Sequence, residues 1–433
     1  MAFFKILTFG CKVNQYESAF IRESLIRGGW TEAGKEGVPD VVIVNTCMVT
    51  HEAQSQSRQA INRAYRENPK ARIVASGCYA EILPDEVSRL NGVELVAGNG
   101  LKRRIPAILA GEEVVEDPPG CGFSRGDPLG HLPVEDFGNR TRAFLKIQDG
   151  CESYCSYCIV PYARGPLRSI DPSEAIRALQ SISEKGYKEV VLTGIHLGKY
   201  GVDLSPVSGL KSLLKLIAGE KLPIRIRLSS IEPNEVDWDL IEMVADEEWL
   251  CNHLHIPLQS GDDGILEKMN RRYRAKEYAR VMERIRERIP LAAIGLDVMV
   301  GFPGEDEKAF ANTRSLIHDL PATYLHVFPF SPRKGTPAAD FPDRVAPGLI
   351  KKRAAELRAL GQSKRAAFYE SCIGKALTVL IQERNSKMKG MAEGLSDNYL
   401  PVHFPSPEGP ENSIVRVRVE GIGAAGLIGK VVK

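Results

Sequence analysis

The segment from Asp149 to Cys158, DGCESYCSYC, sets the architecture that we predict for the central part of this 433-residue chain. It follows a short apolar run, Ala143 to Gln148 (AFLKIQ), that is typical of a buried strand. The segment places Cys151, Cys155 and Cys158 on a single loop. Three thiolates on one loop can bind three irons of a four-iron, four-sulfur (4Fe-4S) cluster and leave the fourth iron free for another ligand. The spacing therefore predicts an iron–sulfur site with an open coordination position.

A zinc site is the alternative for these cysteines, but structural zinc has four ligands and the next candidate, His196, is far away in sequence. The Cys-x-x-x-Cys-x-x-Cys spacing resembles that of the radical S-adenosylmethionine (SAM) superfamily. The resemblance implies that the open iron binds the amino and carboxylate groups of SAM, whose reductive cleavage yields a 5′-deoxyadenosyl radical. By the same resemblance Tyr157 packs near the SAM adenine, and an ordinary core or surface tyrosine is the alternative.

Five further strand-like runs follow this loop, with helical stretches between them. The clearest helix start is Asp171-Pro172-Ser173-Glu174, which combines a capping residue with a proline at the first helical position. Six strand–helix units predict a partial, TIM-like (β/α)6 barrel with its active site at the carboxyl ends of the strands. The five runs are Glu189 to Thr193, Ile224 to Ser229, His253 to Leu258, Ile294 to Val300 and Tyr324 to Phe328.

Glycines and polar residues cluster at the carboxyl ends of these predicted strands. Glycines allow a ligand to approach the backbone closely, and the polar groups can hydrogen-bond an amino acid or a ribose. We predict that Gly194, Glu232 and Gln259 contact SAM. His196 is either a substrate contact or a loop residue, and ordinary loop and helix-cap chemistry is the general alternative at all these positions.

Near the N-terminus, a short apolar run leads into a cysteine and then a helix three times over: Phe3 to Phe9, Asp40 to Asn45 and Arg72 to Ala75. This alternation predicts a parallel, flavodoxin-like α/β domain, in which ligands bind at the carboxyl ends of the strands. Cys11, Cys47 and Cys78 all lie at that edge, so we predict one shared metal centre, although a lone buried cysteine is often only a small hydrophobe. Iron–sulfur is favoured over zinc because a structural zinc site has four ligands and usually a Cys-x-x-Cys pair.

Composition bounds the remaining possibilities. The chain has nine cysteines and a net charge of +2. The odd cysteine count and the lack of a signal-peptide pattern favour metal or redox chemistry in the cytoplasm over a disulfide framework. The apolar runs are shorter than the roughly 20 residues needed to span a bilayer, so we expect no membrane partner. Cys121, in the Pro/Gly-rich stretch from Asp117 to Pro133, is interpreted as a free thiol without a role.

After Gly374 the sequence changes to short alternating runs separated by glycines and prolines. Five short strands predict a small, OB-like all-β barrel, a common nucleic-acid reader. Arg416 and Arg418 alternate with valines, so we predict that both point outward and contact RNA phosphates, with a salt-bridged surface as the alternative. The basic helix predicted from Ala346 to Ala367 is either a solvated connector or an RNA contact.

The three parts, in this order, resemble the radical SAM methylthiotransferase family, which has an N-terminal methylthiotransferase domain, a radical SAM core and a C-terminal TRAM domain. The matching motifs are Phe9 to Glu17 (FGCKVNQYE), Asn45 to Thr50 (NTCMVT), Gly77 to Ala80 (GCYA) and Asp149 to Pro161. The resemblance predicts domains at residues 1–116, 137–367 and 370–433. It implies an auxiliary 4Fe-4S cluster on Cys11, Cys47 and Cys78, and a radical SAM 4Fe-4S cluster on Cys151, Cys155 and Cys158.

The opening motif GCKVNQYE is most similar to the branch that modifies N6-threonylcarbamoyladenosine beside the tRNA anticodon. The resemblance implies a tRNA substrate, a flavodoxin- or ferredoxin-type electron donor and two uses of SAM. One SAM methylates sulfur at the auxiliary cluster, and the other yields the radical that removes hydrogen from adenine carbon 2.

Three alternatives stay open. One is the branch acting on isopentenyladenosine in tRNA, which usually shows GCQMN, and another is the branch acting on an aspartate of ribosomal protein S12, which shows GCPKN. The third is a non-catalytic RNA-binding protein with structural clusters.

Overall fold

The structure is a computed structural model that describes residues 2–34, 37–113, 123–124, 126–138, 140–383, 390–406 and 412–432. Part of the predicted linker from Asp117 to Pro133 lies in these gaps, and the interpretation of Cys121 falls outside the described residues. No helix in these ranges is long and apolar enough to cross a membrane.

The N-terminal part is a parallel sheet with helices between its strands. The strands are β1 (Phe3–Thr8), β2 (Thr31–Glu32), β3 (Val41–Thr46), β4 (Arg72–Gly77) and β5 (Val93–Ala97). The helices are α1 (Lys12–Arg27), α2 (His51–Glu67), α3 (Cys78–Ile82), α4 (Pro84–Ser88) and α5 (Ile105–Ala110). The strand order β2-β1-β3-β4-β5, with every pair parallel, is the flavodoxin-like order, which confirms the predicted fold class.

Local sequence explains these elements. β3 is buried along its whole length, as its unbroken apolar run predicts. α2 begins where predicted because the Thr50 side chain accepts a hydrogen bond of 3.1 Å from the Ala53 N–H. β2 and β5 were not predicted: β2 is only two residues long, and the burial of β5 is confined to its last two residues.

The central part is an incomplete barrel. Its strands are β6 (Ala143–Lys146), β7 (Gln148–Asp149), β8 (Arg168–Ser169), β9 (Glu189–Thr193), β10 (Arg225–Leu228), β11 (His253–His255), β12 (Ala293–Val300) and β13 (Tyr324–Pro329). Its helices are α6 (Val160–Arg164), α7 (Pro172–Glu184), α8 (Leu210–Glu220), α9 (Trp238–Asp246), α10 (Asp263–Lys268), α11 (Ala275–Arg288) and α12 (Glu307–Asp319).

The barrel strands form two parallel sheets, one of β6, β9 and β10 and one of β11, β12 and β13. The sheets meet where the Cys251 N–H donates to the Ile226 carbonyl over 2.9 Å. Six parallel strands in chain order confirm the predicted partial (β/α)6 barrel.

The C-terminal part follows a long helix, α13 (Pro347–Ser371). Its strands are β14 (Ala376–Glu383), β15 (Met391–Ser396), β16 (Pro401–Pro405), β17 (Ile414–Gly423) and β18 (Gly426–Val432). They close into a barrel in the order β14-β15-β16-β18-β17, which confirms the predicted small all-β barrel and is consistent with a TRAM domain. The predicted domain limits stay predictions, and α13 runs unbroken across the limit placed near residue 370.

The small barrel is docked onto the central part by buried arginines. Arg225 Nη1 donates to the Thr378 carbonyl over 2.9 Å, and Arg227 Nη1 donates to the Asp397 carbonyl over 2.7 Å. Tyr399 packs on His253, with ring centroids 4.6 Å apart. The position of the C-terminal barrel is therefore fixed by charged groups of the central strands.

Candidate active site

The first cysteine set comprises Cys11, Cys47 and Cys78. It lies at the carboxyl ends of β1, β3 and β4, which are neighbours in the sheet. Gly10 lies so close to Cys47 that a side chain at position 10 would come within 2.8 Å of the Cys47 Sγ, and Gly10 has a φ of +91°. The structure thus brings the three cysteines to one sheet edge, as predicted.

The thiols of the first set influence one another electrostatically. Burial raises the pKa of Cys47 to about 12, and Cys78 and Cys11 add to this effect. Desolvation and Cys78 also raise the pKa of Cys11, whereas Arg164 opposes the increase. Mutual destabilisation of thiolates is expected when several sulfurs share a small volume.

A buried ion network lies beside the first set and joins the N-terminal and central parts. Arg164 Nη1 is 2.6 Å from Glu17 Oε1, and Lys146 Nζ bridges Glu17 at 2.8 Å and Asp149 at 3.0 Å. The members of the network are Glu17, Lys102, Lys146, Asp149, Arg164 and Arg168, and their side chains are at most 6% exposed. Four cations face two carboxylates, so the network has an excess of positive charge that a bound anionic group would balance.

The second cysteine set, Cys151, Cys155 and Cys158, lies on the loop that leads from β7 into α6. His196 Nδ1 is 3.5 Å from Cys151 Sγ, and Arg271 Nη1 donates to Cys155 Sγ over 3.4 Å. Burial raises the pKa of Cys158 to about 12, and Cys155 adds to this effect. Burial acts in the same direction on Cys151, but its contact with His196 lowers the pKa of that thiol overall. A cationic or hydrogen-bonding group therefore faces two of the three sulfurs.

Carboxylates orient the two groups that face these sulfurs. His196 Nε2 lies 2.8 Å from Glu235 Oε1, and Arg271 forms an ion pair with Glu232. Burial lowers the pKa of His196, but Cys151 and Glu235 outweigh burial and raise it to about 9. Such outer contacts hold ligand side chains in place in metal sites.

The two cysteine sets are connected by α6. This short helix begins two residues after Cys158. Ala163, in the helix, and Ile159, directly before it, pack in the same hydrophobic cluster as Cys78. Asn99 Nδ2 donates to the Ala163 carbonyl over 2.7 Å and approaches Cys78 Sγ at 3.8 Å. Both sets therefore border one region between the N-terminal and central parts.

Gly194 and Gln259 differ in what they offer a ligand. A side chain at Gly194 would come within 2.9 Å of Gln148 Oε1, so this glycine leaves room for the Gln148 side chain at the end of β9. Gln259 is buried, and its Oε1 has no hydrogen-bond partner among the described residues. An unpaired buried amide oxygen is costly unless a ligand donates to it. A group with hydrogen-bond donors, such as the amino or ribose groups of SAM, satisfies this requirement.

The other two residues predicted to contact SAM have protein partners. Tyr157 packs edge-on against Phe302, with ring centroids 6.4 Å apart, in a cluster of apolar side chains. Glu232 is paired with Arg271. Their roles, like those of Gly194 and Gln259, stay predictions.

Three polar side chains converge on the parallel strands β11 to β13. His255 Nε2 and His326 Nδ1 each lie 3.1 Å from the same Asp297 oxygen. Burial raises the pKa of Asp297, but the two histidines outweigh it and hold that pKa well below its usual range. The side chain of His326 is 61% exposed, so this part of the barrel interior is open to solvent.

The arginines predicted to contact RNA lie on β17. Arg416 and Arg418 are exposed, and the alternating Val417 and Val419 are buried, as predicted. Neither Tyr399 nor Phe404 presents its ring for base stacking, because Phe404 is in the barrel core and Tyr399 packs on His253. Contact of Arg416 and Arg418 with RNA remains a prediction.

Sequence reasoning missed several residues of the site. Glu17 ends the first quoted motif, and Arg164 lies three residues after the last one. The two residues are 147 positions apart, so their pairing could be found only from the fold. The separation of His196 from the cysteines in sequence does not carry over to space, because the fold places His196 Nδ1 3.5 Å from Cys151 Sγ. Arg271, which donates to Cys155 Sγ, was not predicted to belong to the site.

Comparisons with known proteins agree with this architecture. The profile of the radical SAM superfamily matches residues 145–317, and that of the uncharacterized protein family UPF0004 matches residues 4–98. The structure of the radical SAM methyltransferase TsrM from Kitasatospora setae, with cobalamin and a [4Fe-4S] cluster bound, superposes with a TM-score of 0.57 at 16% identity. That likeness covers 78% of this chain and 74% of TsrM and shows the fold.

Curated relatives cover nearly the whole chain. The threonylcarbamoyladenosine tRNA methylthiotransferase MtaB of Bacillus subtilis is 37% identical over 95% of this chain and 92% of its own length. The MtaB of Aquifex aeolicus is 38% identical over 91% and 95%. A tRNA-2-methylthio-N(6)-dimethylallyladenosine synthase from Pelotomaculum thermopropionicum is 31% identical over 98% and 97%. With such identity over almost its full length, this chain belongs to the family of radical SAM tRNA methylthiotransferases, enzymes that use SAM and 4Fe-4S clusters.

Proposed function

We propose that this chain transfers a methylthio group to carbon 2 of N6-threonylcarbamoyladenosine in tRNA. The observation that carries the proposal is the pair of three-cysteine sets on two abutting parts of the chain, which border one region on either side of α6. The relatives named for this reaction, at 37% and 38% identity, support the choice of substrate.

We assign Cys11, Cys47 and Cys78 to the auxiliary 4Fe-4S cluster and Cys151, Cys155 and Cys158 to the radical SAM cluster. Each set offers three sulfurs, which leaves one iron of a cubane open. The excess positive charge of the ion network suits a thiolate-bound cluster at the first set, and Arg271 and His196 suit one at the second.

When bound, the clusters and SAM supply the radical that removes hydrogen from adenine carbon 2 and the sulfur and methyl group that replace it. The protein's own residues bind and orient the reactants. Gln259 Oε1 accepts a hydrogen bond from the polar end of SAM, the Gly194 backbone contacts SAM, and Tyr157 packs along its adenine. Glu232 holds Arg271 against Cys155 and is in turn available to the ribose of SAM.

The remaining partners follow from the same proposal. Arg416 and Arg418 on the outer surface of the C-terminal barrel contact phosphates of the tRNA. A flavodoxin- or ferredoxin-type protein delivers the electron to the second set. The reaction takes place in the cytoplasm, without a membrane partner.

The decisive experiment uses protein with both clusters reconstituted anaerobically, SAM, a reductant and tRNA that carries N6-threonylcarbamoyladenosine. Mass spectrometry of the digested nucleosides should show conversion to the 2-methylthio derivative. The same tRNA with isopentenyladenosine at the target position is the matched control, and it should remain unmodified. Absence of product from the first tRNA under conditions that cleave SAM contradicts the proposal.

The relative from Pelotomaculum thermopropionicum, 31% identical, makes the dimethylallyladenosine reaction the second candidate. It would be adopted if only the isopentenyl tRNA were methylthiolated in that experiment.

A further inference from the structure

Lys12 is the cation closest in sequence to the first cysteine set, and it has no ion partner among the described residues. It is the first residue of α1, directly after Cys11, and it is half-buried. Its charge interacts with those of Arg142, Arg227 and Asp297, which belong to the barrel. The helix α1 lies against the barrel, since its Glu17 pairs with Lys146 of β6 at 2.8 Å, and Lys12 at the start of α1 is within electrostatic range of the residue before β6 and of β10 and β12.

The charges around Lys12 do not balance. Glu189 is shared by three arginines: Arg225 and Arg227 approach it at 2.7 Å and 2.8 Å, whereas Arg142 remains at 3.7 Å. Two other carboxylates are near: Asp297 pairs with two histidines, and Asp397 accepts a hydrogen bond from Asn252 over 2.8 Å. Lys12, Arg142, Arg225 and Arg227 still outnumber these three carboxylates, and Arg142 has only the longer contact with Glu189. A partly desolvated region with excess positive charge favours an anionic ligand.

Two observations show that this region is reachable. The Arg142 side chain is 22% exposed and the Asp297 side chain is 26% exposed. The region also borders the first cysteine set, because Lys12 directly follows Cys11 in the chain. A ligand that reaches the open side of the first set thus comes within reach of Lys12.

Resting on the function proposed above, we propose that Lys12 and Arg142 bind the carboxylate of the threonylcarbamoyl group and thereby select the modified adenosine as substrate. The threonyl carboxylate is the only negative charge that distinguishes this nucleoside from adenosine. Carbon 6, which carries N6, and carbon 2 flank N1 on one edge of the adenine ring, so a substituent on N6 lies on the same edge as carbon 2. Lys12, which directly follows Cys11, is consequently well placed to hold the carboxylate while carbon 2 faces the first set, and Arg142 is within electrostatic range of Lys12.

The test compares three anticodon stem-loops that differ only at the target base: threonylcarbamoyladenosine, its carboxamide analogue and adenosine. Equilibrium binding to the reconstituted protein should favour the carboxylate over the carboxamide. K12Q and R142Q should each reduce this preference about 10- to 100-fold, as expected for loss of a charge-assisted hydrogen bond. K12R should keep most of the preference, and K308Q, at an exposed position of α12, should keep all of it.

Iron content and the absorbance of the clusters show whether K12Q retains both clusters despite its position beside Cys11. If it loses iron, R142Q decides the question, because Arg142 lies on a different segment from the cysteines. A full preference for the carboxylate in both variants overturns the inference. An equal loss of affinity for all three stem-loops also overturns it, because it indicates contact with an RNA phosphate. Wild-type protein that binds the carboxylate selectively but never methylthiolates it contradicts the proposed function and leaves this inference standing.

Discussion

The two cysteine sets are assembled in different ways. The second set lies on one loop of eight residues, from Cys151 to Cys158, so its geometry is mostly local. The first set draws Cys11, Cys47 and Cys78 from three strands and forms only when β1, β3 and β4 are paired. The surroundings differ as well: a shared ion network lies beside the first set, whereas single side chains contact the sulfurs of the second. The geometry of the local set follows from one segment of sequence, whereas that of the assembled set depends on the pairing of three strands.

The largest expected effect separates the two sets by chemistry. Replacing Cys151, Cys155 and Cys158 by alanine should halve the iron from about eight to about four per chain and abolish SAM cleavage. Replacing Cys11, Cys47 and Cys78 should halve the iron equally, abolish the methylthio product and leave SAM cleavage to 5′-deoxyadenosine intact. Iron analysis and chromatography of the SAM products measure both.

Cys251 and Cys372 provide matched controls, because both are free, buried and outside the two sets. C251A and C372A should retain full iron. Zinc in place of iron at the first set, or wild-type product formation without Cys11, Cys47 and Cys78, would refute the role assigned to that set.

The next effect concerns stability and tests the dependence of the first set on the ion network. E17Q removes a buried carboxylate from between Lys102, Lys146 and Arg164, and we expect it to destabilise the apoprotein by about 3–5 kcal/mol. E67Q, which breaks the exposed pair with Arg63, should change little. Denaturant unfolding followed by circular dichroism measures both variants, and equal midpoints would contradict the structural role of the network.

The same network predicts how acid affects the protein. Burial raises the pKa of Glu17, but Arg164, Lys102 and Lys146 outweigh it and lower that pKa well below 4.5 in the folded chain. The stability that Glu17 contributes is therefore complete above about pH 4.5 and is lost as the pH falls through the folded-state pKa. Acid unfolding of wild type should be steeper in this range than that of E17Q, which has no carboxylate to protonate at this position.

The contrast between the sets also shows how far the sequence alone reaches. The Cys-x-x-x-Cys-x-x-Cys loop, the six barrel strands and the edge position of Cys11, Cys47 and Cys78 follow from short-range patterns. The pairs Arg164–Glu17, His196–Cys151 and Arg271–Cys155 do not, because each joins residues of different elements whose distance depends on how the parts pack. β2 and β5 were missed because neither shows a long apolar run.

A smaller effect is expected when the second set loses one hydrogen bond but keeps its ligands. In R271Q the guanidinium that donates to Cys155 Sγ and pairs with Glu232 is lost. Loss of such an outer contact typically costs about 10- to 100-fold in activity or metal affinity. The rate of SAM cleavage should fall by that factor while the iron at the first set is retained. R272Q, at the adjacent exposed position, is the control, and an equal rate in the two variants would show that the contact is unimportant.

The smallest effect concerns the C-terminal barrel, which is remote from both sets in sequence. Truncation after Gly374 is a poor test of RNA contact, because it also removes the carbonyls that accept hydrogen bonds from Arg225 and Arg227.

Substituting Arg416 and Arg418 by glutamine leaves that junction intact, since both side chains are on the outer surface of β17. Each lost phosphate contact should reduce the slope of log affinity against log salt by about 0.7 to 0.9. Filter binding across a salt series measures the slope, with R314Q on α12 as an exposed control. An unchanged slope in the double variant would mean that other residues hold the tRNA, and that the C-terminal barrel serves to cover the central strands through its contacts with Arg225, Arg227 and His253.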